Sequence, residues 1–393
     1  MTQHDMRGVL QNAVHDGTLK MACGWLANAD QVVFSDAAGE GQPGVPMTVE
    51  TPAAIMSMTK AITGAAAMQL VEQGRLSLDA PAGEICPYLA EVQVLDGYDA
   101  DGQPKLRPPV RPVTLRNLLT HSSGFCYDIW NPELTEYLAA SNTPSLMSLQ
   151  KAALRMPLMF DPDSRWEYGI GIDWAGQMIE AVTGQTLGAY LAENLFDPLG
   201  MQATTFAPDA ATQAQQAAIY HRLPAGELVL PESDPAPSTP PPAPEFEMGG
   251  GGLISTVADY GRFLRMLLGG GELDGRRVLA ADTVQTMAQN QMGDLRVTPL
   301  RTAMPPLSHD AEFFPGAPKS WGLTFQINEE PAATGRAAGT LMWAGLTNCY
   351  YWVDMKSQVA GLFLTQVLPF ADPQSLSVLN DFETAAYQHV NAG

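Results

Sequence analysis

The sequence predicts an α/β protein of the α+β kind: one antiparallel sheet assembled from both ends of the chain, flanked by helices and carrying a mostly helical insert. Three observations lead there. Strand-like runs lie near the N-terminus and again after residue 320. Helical patterns fill the middle of the chain. The length, 393 residues, corresponds to two or three structural units at about 100–200 residues each. The expected division is a discontinuous sheet-bearing domain, residues 1–75 and 270–393, with a helical domain over 76–269 inserted into it.

Taken in order, residues 20–36 (KMACGWLANADQVVFSD) read as two short strands around an Asn28-Ala29-Asp30 turn. From Ile55 to Gln73 the chain is rich in Ala, free of Pro and stopped by Gly74, which predicts a mostly buried helix. Pro, Gly and Asp then make a loop-rich stretch up to residue 112. Residues 114–120 (TLRNLLT) predict a short capped helix, and 173–183 and 187–197 two more, the last ended by Asp197-Pro198-Leu199-Gly200. Seven of the fourteen residues from Pro231 to Pro244 are proline, which suits an extended surface segment. Gly249–Gly252 precede a helix over 256–268. Strands are expected at 321–327, 338–343, 349–354 and 358–366, with a last helix at about 373–390.

Composition removes several function classes. The formal charge is 21 − 42 = −21, so the surface repels phosphate backbones and gives anionic lipid heads nothing to hold. No partner of nucleic-acid or membrane type is expected, and oligomeric state is not legible. No apolar run has the length of a membrane span or the form of a secretory leader, which reads as a cytoplasmic protein. The four cysteines are far apart, without CxxC or metal-ligand spacing, and read as separate thiols. Neither a metal nor another cofactor is expected. G-x-S-x-G, the P-loop and H-E-x-x-H are all absent.

What remains is S-x-x-K, found as Ser57-Met58-Thr59-Lys60 and Ser148-Leu149-Gln150-Lys151. Context separates them. Lys151 and Arg155 give the second the look of a solvated helix face. Ser57 and Lys60 open the small-residue, apolar helix, where residues three apart face the same side. The positive end of the helix dipole and burial both disfavour an ammonium there, and a neutral amine beside a hydroxyl is a general base beside a nucleophile. On the tetrad alone, Ser57 as a cap with Lys60 reaching outward is the favoured arrangement.

The rest of the chain bears on that choice. The tetrad with VEQGRLSLDAP at 71–81 resembles the serine penicillin-recognising superfamily of class C β-lactamases, D,D-peptidases and family VIII carboxylesterases, and further segments match in the family's order. Leu118–Gly124 (LLTHSSG) resembles LLTHTSG. Asp161-Pro162 through Trp166-Glu167-Tyr168 resembles the stretch with the second motif. Gly249–Leu253 with Ser255, Asp259 and Phe263 resembles the GG…S..D...F segment, and Leu341–Gly345 (LMWAG) the W-G-G of the esterase branch. The likeness spans roughly residues 20–390. It implies the β-lactamase/D,D-peptidase fold, with Ser57 as nucleophile and Lys60 as its proton partner. Tyr168 would be the second-motif hydroxyl, placed to share a proton with Lys60 and the leaving alcohol. The backbone N–H groups of Ser57 and of Leu346, on an edge strand, would form the oxyanion hole. Tyr127, Trp343, Ala344 and Gly345 would line the substrate site, with Trp130, Trp166 and Tyr350 as nearby aromatics, and His121 would be structural.

The departures narrow the substrate. Tyr168-Gly169-Ile170 lacks the polar third residue of Tyr-x-Asn, and Trp343 stands where β-lactamases and peptidases carry lysine. Without that cation nothing pairs with a substrate carboxylate. The expectation is a carboxylesterase-type serine hydrolase acting through an acyl-enzyme on small-molecule neutral esters of small to medium acyl chain. The alternatives are an acyltransferase, an amide or β-lactam hydrolase, and a catalytically silent binding protein of the same fold.

Overall fold

The computed structural model describes residues 5–231 and 244–392; most of the proline-rich stretch 231–244 lies outside them. Three strands from the start of the chain, β1 (Met21–Ala27), β2 (Val32–Gln42) and β3 (Val45–Pro46), share one sheet with five from its end. These are β4 (Lys319–Trp321), β5 (Gln326–Asn328), β6 (Leu341–Gly345), β7 (Cys349–Asp354) and β8 (Val359–Leu364). The order is β4-β5-β6-β7-β8-β1-β2-β3 and every neighbouring pair is antiparallel. The joint between the two chain ends is β1 against β8, with Trp25 opposite Leu362.

Both faces of the central strands are covered, so β1, β6, β7 and β8 are buried along their whole length. Consecutive residues of β1 show the two layers, because a strand points alternate side chains to opposite faces. A Cβ at Gly24 would meet the Phe382 ring at 2.3 Å and Leu10 at 3.2 Å. Those residues belong to the terminal helices Met6–His15 and Pro373–Ala392. Trp25, on the other face, packs on Gly261 of helix Val257–Leu268, where a Cβ would come within 2.6 Å of the indole. The helix Thr59–Glu72 buries every residue from Thr59 to Leu70. A Cβ at its Gly64 would press on Thr324, which lies between β4 and β5, at 2.6 Å.

Several expected elements differ in detail. The run 321–327 is two strands, because Gly322 turns the chain: its N–H bonds the Phe325 carbonyl, and a Cβ would strike the Met287 carbonyl at 2.2 Å. The helix expected over 187–197 is Leu187–Leu191, followed by a wider turn through Ala192–Phe196. The loop-rich stretch before residue 112 contains a hairpin, Val94–Tyr98 with Pro104–Arg107. Ser148 and Lys151 lie on two short 3₁₀ turns broken at Leu149, rather than on one helix face.

Because Gly24 leaves no room for a methyl, Gly24→Ala is expected to cost about 1–3 kcal/mol of stability. The urea midpoint should fall at unchanged slope; an unaltered midpoint would show that Phe382 yields freely.

Candidate active site

Ser57 does not sit in the first α-helical turn, as the sequence suggests. It lies on a 3₁₀ turn, Met56–Met58, and the α-helix begins at Thr59. Met56 holds a left-handed backbone conformation, φ 46°, which turns the chain sharply out of the short strand Ala53–Ala54. Lys60 is the second residue of the helix and fully buried. Its carbonyl is held by the Thr324 hydroxyl at 3.1 Å. A long cationic side chain is rarely enclosed in this way without partners.

Three oxygens surround the Lys60 amine. Nζ lies 3.1 Å from Ser57 Oγ and 3.0 Å from the Tyr127 hydroxyl, and it donates to the Gly250 carbonyl. It also sits above the Tyr168 ring, 4.7 Å from its centre. Burial pushes the amine well below the ordinary lysine range, and the negative charge of Asp173 pulls part of the way back. Asp173 is itself fully buried and shifted upward by burial, while Lys60 and the Gly250 N–H hold it down.

Tyr168 closes the other side of Ser57. Trp343 Nε1 donates to its hydroxyl at 2.9 Å, and a hydrogen bond with Ser57 also acts on the phenol. Burial outweighs both and keeps the phenol protonated, so at neutral pH Tyr168 is a proton donor and not a phenolate base. His121 packs on the Tyr168 ring, centroids 4.6 Å apart, and its Nδ1 accepts the Gly169 N–H at 3.3 Å. That bond puts the imidazole proton on Nε2, and burial with the nearby Lys60 keeps the ring neutral.

Trp343, Ala344 and Gly345 lie on β6, which is third in the sheet rather than at its edge. However, β5 pairs only with Leu341 and Met342, so these three residues have no ladder partner on the β5 side. A Cβ at Gly345 would meet the Ile55 carbonyl at 2.4 Å, so glycine lets this strand approach the Ser57 turn. Leu346 packs on a small cluster that includes Met56. Trp130 stands edge-on to Tyr127 and Tyr168, with Nε1 bonded to Ser308 Oγ at 3.0 Å. Tyr350 is a core residue whose hydroxyl is spent on Asn348 Oδ1, and Trp166 packs on Trp321.

Sequence reasoning misses two members. Asp173 falls at the start of the helix expected over 173–183 and belongs to none of the motifs singled out in the sequence. Gly250, which the sequence places only in the glycine run before a helix, supplies the carbonyl that holds Lys60. Tyr127, expected to line the substrate site, has its hydroxyl on the Lys60 amine. Among the described residues no cluster of His, Cys, Asp or Glu is arranged to hold a metal, and no helix is long and apolar enough to cross a membrane.

With this geometry in view, similarity to known proteins is informative. The family model described as Beta-lactamase matches residues 1–384. A monacolin J acid methylbutanoyltransferase of Aspergillus terreus is 30% identical over 362 residues, covering 88% of this chain and 84% of that protein. A lovastatin esterase of Penicillium rubens is 31% identical over 376 residues, covering 90% and 88%. The structure of a LovD6 mutant of simvastatin synthase from Aspergillus terreus superposes with a TM-score of 0.85 at 29% identity, covering 99% of this chain and 97% of that one. The chain belongs to the β-lactamase family and has its fold. Relatives of this kind support a serine enzyme of this fold that transfers or hydrolyses acyl groups.

Trp343→Phe keeps the aromatic contact and deletes the donor to Tyr168. Turnover of p-nitrophenyl butyrate should fall about tenfold, the worth of one good hydrogen bond, with little change in Tm. An undiminished rate would mean that the Trp343–Tyr168 bond is idle.

Proposed function

We propose that the chain hydrolyses neutral carboxylic esters through an acyl-enzyme on Ser57. The observation that carries this reading is the contact of Ser57 Oγ with a fully buried lysine amine at 3.1 Å, with the protonated Tyr168 phenol on the other side. A buried, neutral Lys60 takes the Ser57 proton as Oγ bonds to the ester carbonyl carbon. The tetrahedral oxyanion would be met by the N–H groups of Ser57 and Leu346, each worth on the order of 3 kcal/mol. When the carbon–alkoxide bond breaks, the proton returns from the Lys60 ammonium through the Tyr168 hydroxyl to the departing alkoxide. Water then repeats the sequence with Lys60 as base and frees the acid.

Trp343 in the third motif and the net charge of −21 favour an uncharged substrate over a penicillin or peptidoglycan carboxylate. The acyl group enters against the aromatic wall of Tyr127, Trp130 and Trp343. A second reading, transfer of the acyl group to an alcohol, is favoured by the methylbutanoyltransferase among the relatives. Both share the acyl-enzyme and differ in what takes the acyl group. No metal or organic cofactor takes part in this scheme, and a reduced, cytoplasmic setting suits it.

Ser57→Ala should abolish turnover of p-nitrophenyl butyrate while the protein stays folded; retained turnover would remove the nucleophile. Because the amine must be unprotonated, the rate should rise with pH along an acid limb far below the ordinary lysine range. A flat profile from roughly pH 5 to 9 would contradict a lysine base. Product analysis with an added alcohol separates the two readings: new ester at the expense of acid means transfer, acid alone means hydrolysis.

A further inference from the structure

The hydrogen bonds around Lys60 continue past the residues that touch Ser57. Gly250 joins two side chains: its carbonyl accepts from the Lys60 amine and its N–H donates to Asp173 Oδ1 at 2.8 Å. Only glycine permits this, since a Cβ at Gly250 would lie 2.5 Å from Asp173 Oδ2. Asp173 is wholly buried, and among the described residues its Oδ2 has no donor in full hydrogen-bond geometry beyond its interaction with the Tyr127 hydroxyl. The Tyr127 hydroxyl, already 3.0 Å from the Lys60 amine, is also the side chain that hydrogen-bonds toward the Asp173 carboxylate. A buried carboxylate oxygen left without a donor is costly, and the phenol beside it is a donor in need of an acceptor.

Direction is the point of the arrangement. The Trp343 indole can only donate, and an ionised carboxylate can only accept. Between them the groups run Trp343, Tyr168, Ser57, Lys60, Tyr127, Asp173. We propose that Asp173 is a positioning residue for the Ser57–Lys60 pair: by accepting the Tyr127 proton it turns the Tyr127 oxygen toward a Lys60 N–H and leaves the amine lone pair facing Ser57. A neutral amine has two N–H groups and one lone pair. Gly250 takes one N–H and Tyr127 the other, so Ser57 alone can donate to the nitrogen. As Ser57 attacks, its O–H bond breaks, a third N–H bond forms on Lys60, and the Asp173 charge steadies the ammonium.

This rests on the serine–lysine reading above, and the test separates the two. The titratable groups facing the Lys60–Asp173 pair are Tyr127, Tyr168 and His121, with Asp128 beyond Tyr127. Asp173→Asn removes the charge that holds the Lys60 proton, so the acid limb of kcat/KM should move to lower pH by at least about half a unit. The plateau rate for p-nitrophenyl butyrate should fall at least about tenfold, because an amide can also donate and no longer fixes the direction. Fluorophosphonate labelling of Ser57 should survive at high pH, which shows the nucleophile intact. A limb that stays put or moves upward overturns the proposal, since a purely structural carboxylate lowers rate or stability without shifting the limb this way. Tyr127→Phe breaks the link from the other side and carries the test if Asp173→Asn does not fold. Its plateau should fall at least about tenfold, and a full rate there would equally overturn the proposal.

Discussion

A lysine amine enclosed beside a serine hydroxyl is the constraint from which the rest of this structure follows. Lys60 has no exposed surface. Charging it there is expensive, so the amine is held toward its neutral form, and its neighbours must be groups that a neutral amine can satisfy. The Gly250 carbonyl and two hydroxyls meet that condition. The sheet supplies the enclosure: β6 closes over the Ser57 turn at Gly345, while the helix carrying Lys60 is covered along nearly its whole length. Reactivity and packing are here two descriptions of one burial.

The aromatic residues have a comparable double role. Tyr168 lies between His121, Tyr127, Trp130, Trp343 and the Lys60 amine, so its ring is fixed by contact and its hydroxyl by the Trp343 N–H. Excluding water around a phenol and an amine strengthens every electrostatic interaction they make. Trp343 therefore does two things: its ring packs on the phenol and its N–H supplies the phenol with a donor-only group.

Much of this was legible in the residues. The strand–turn–strand over 20–36 appears with the turn as expected, Asn28 Oδ1 accepting from the N–H groups of Asp30 and Gln31 at 3.0 and 2.8 Å. Gly74 stops the helix with φ 68°, and Thr114 caps the helix Leu115–Thr120 in a reciprocal bond with Asn117. The N-terminal helix Met6–His15 buries only Met6, Leu10 and Ala13, too sparse a stripe to distinguish from a polar terminus. At the site, the serine–lysine spacing is local and visible. The juxtaposition of Lys60, Tyr127, Asp173 and Gly250 is not, because it brings together four distant segments. No periodicity records that a glycine carbonyl 190 residues away ends on a lysine.

The most direct measurement is the pH dependence of single-hit fluorophosphonate labelling, with the adduct located by peptide mass spectrometry. The account predicts one adduct, on the peptide containing Ser57, formed at a rate that climbs with pH along a limb well below the ordinary lysine range. An adduct on another residue, or a labelling rate indifferent to pH, would contradict a serine activated by a buried neutral lysine.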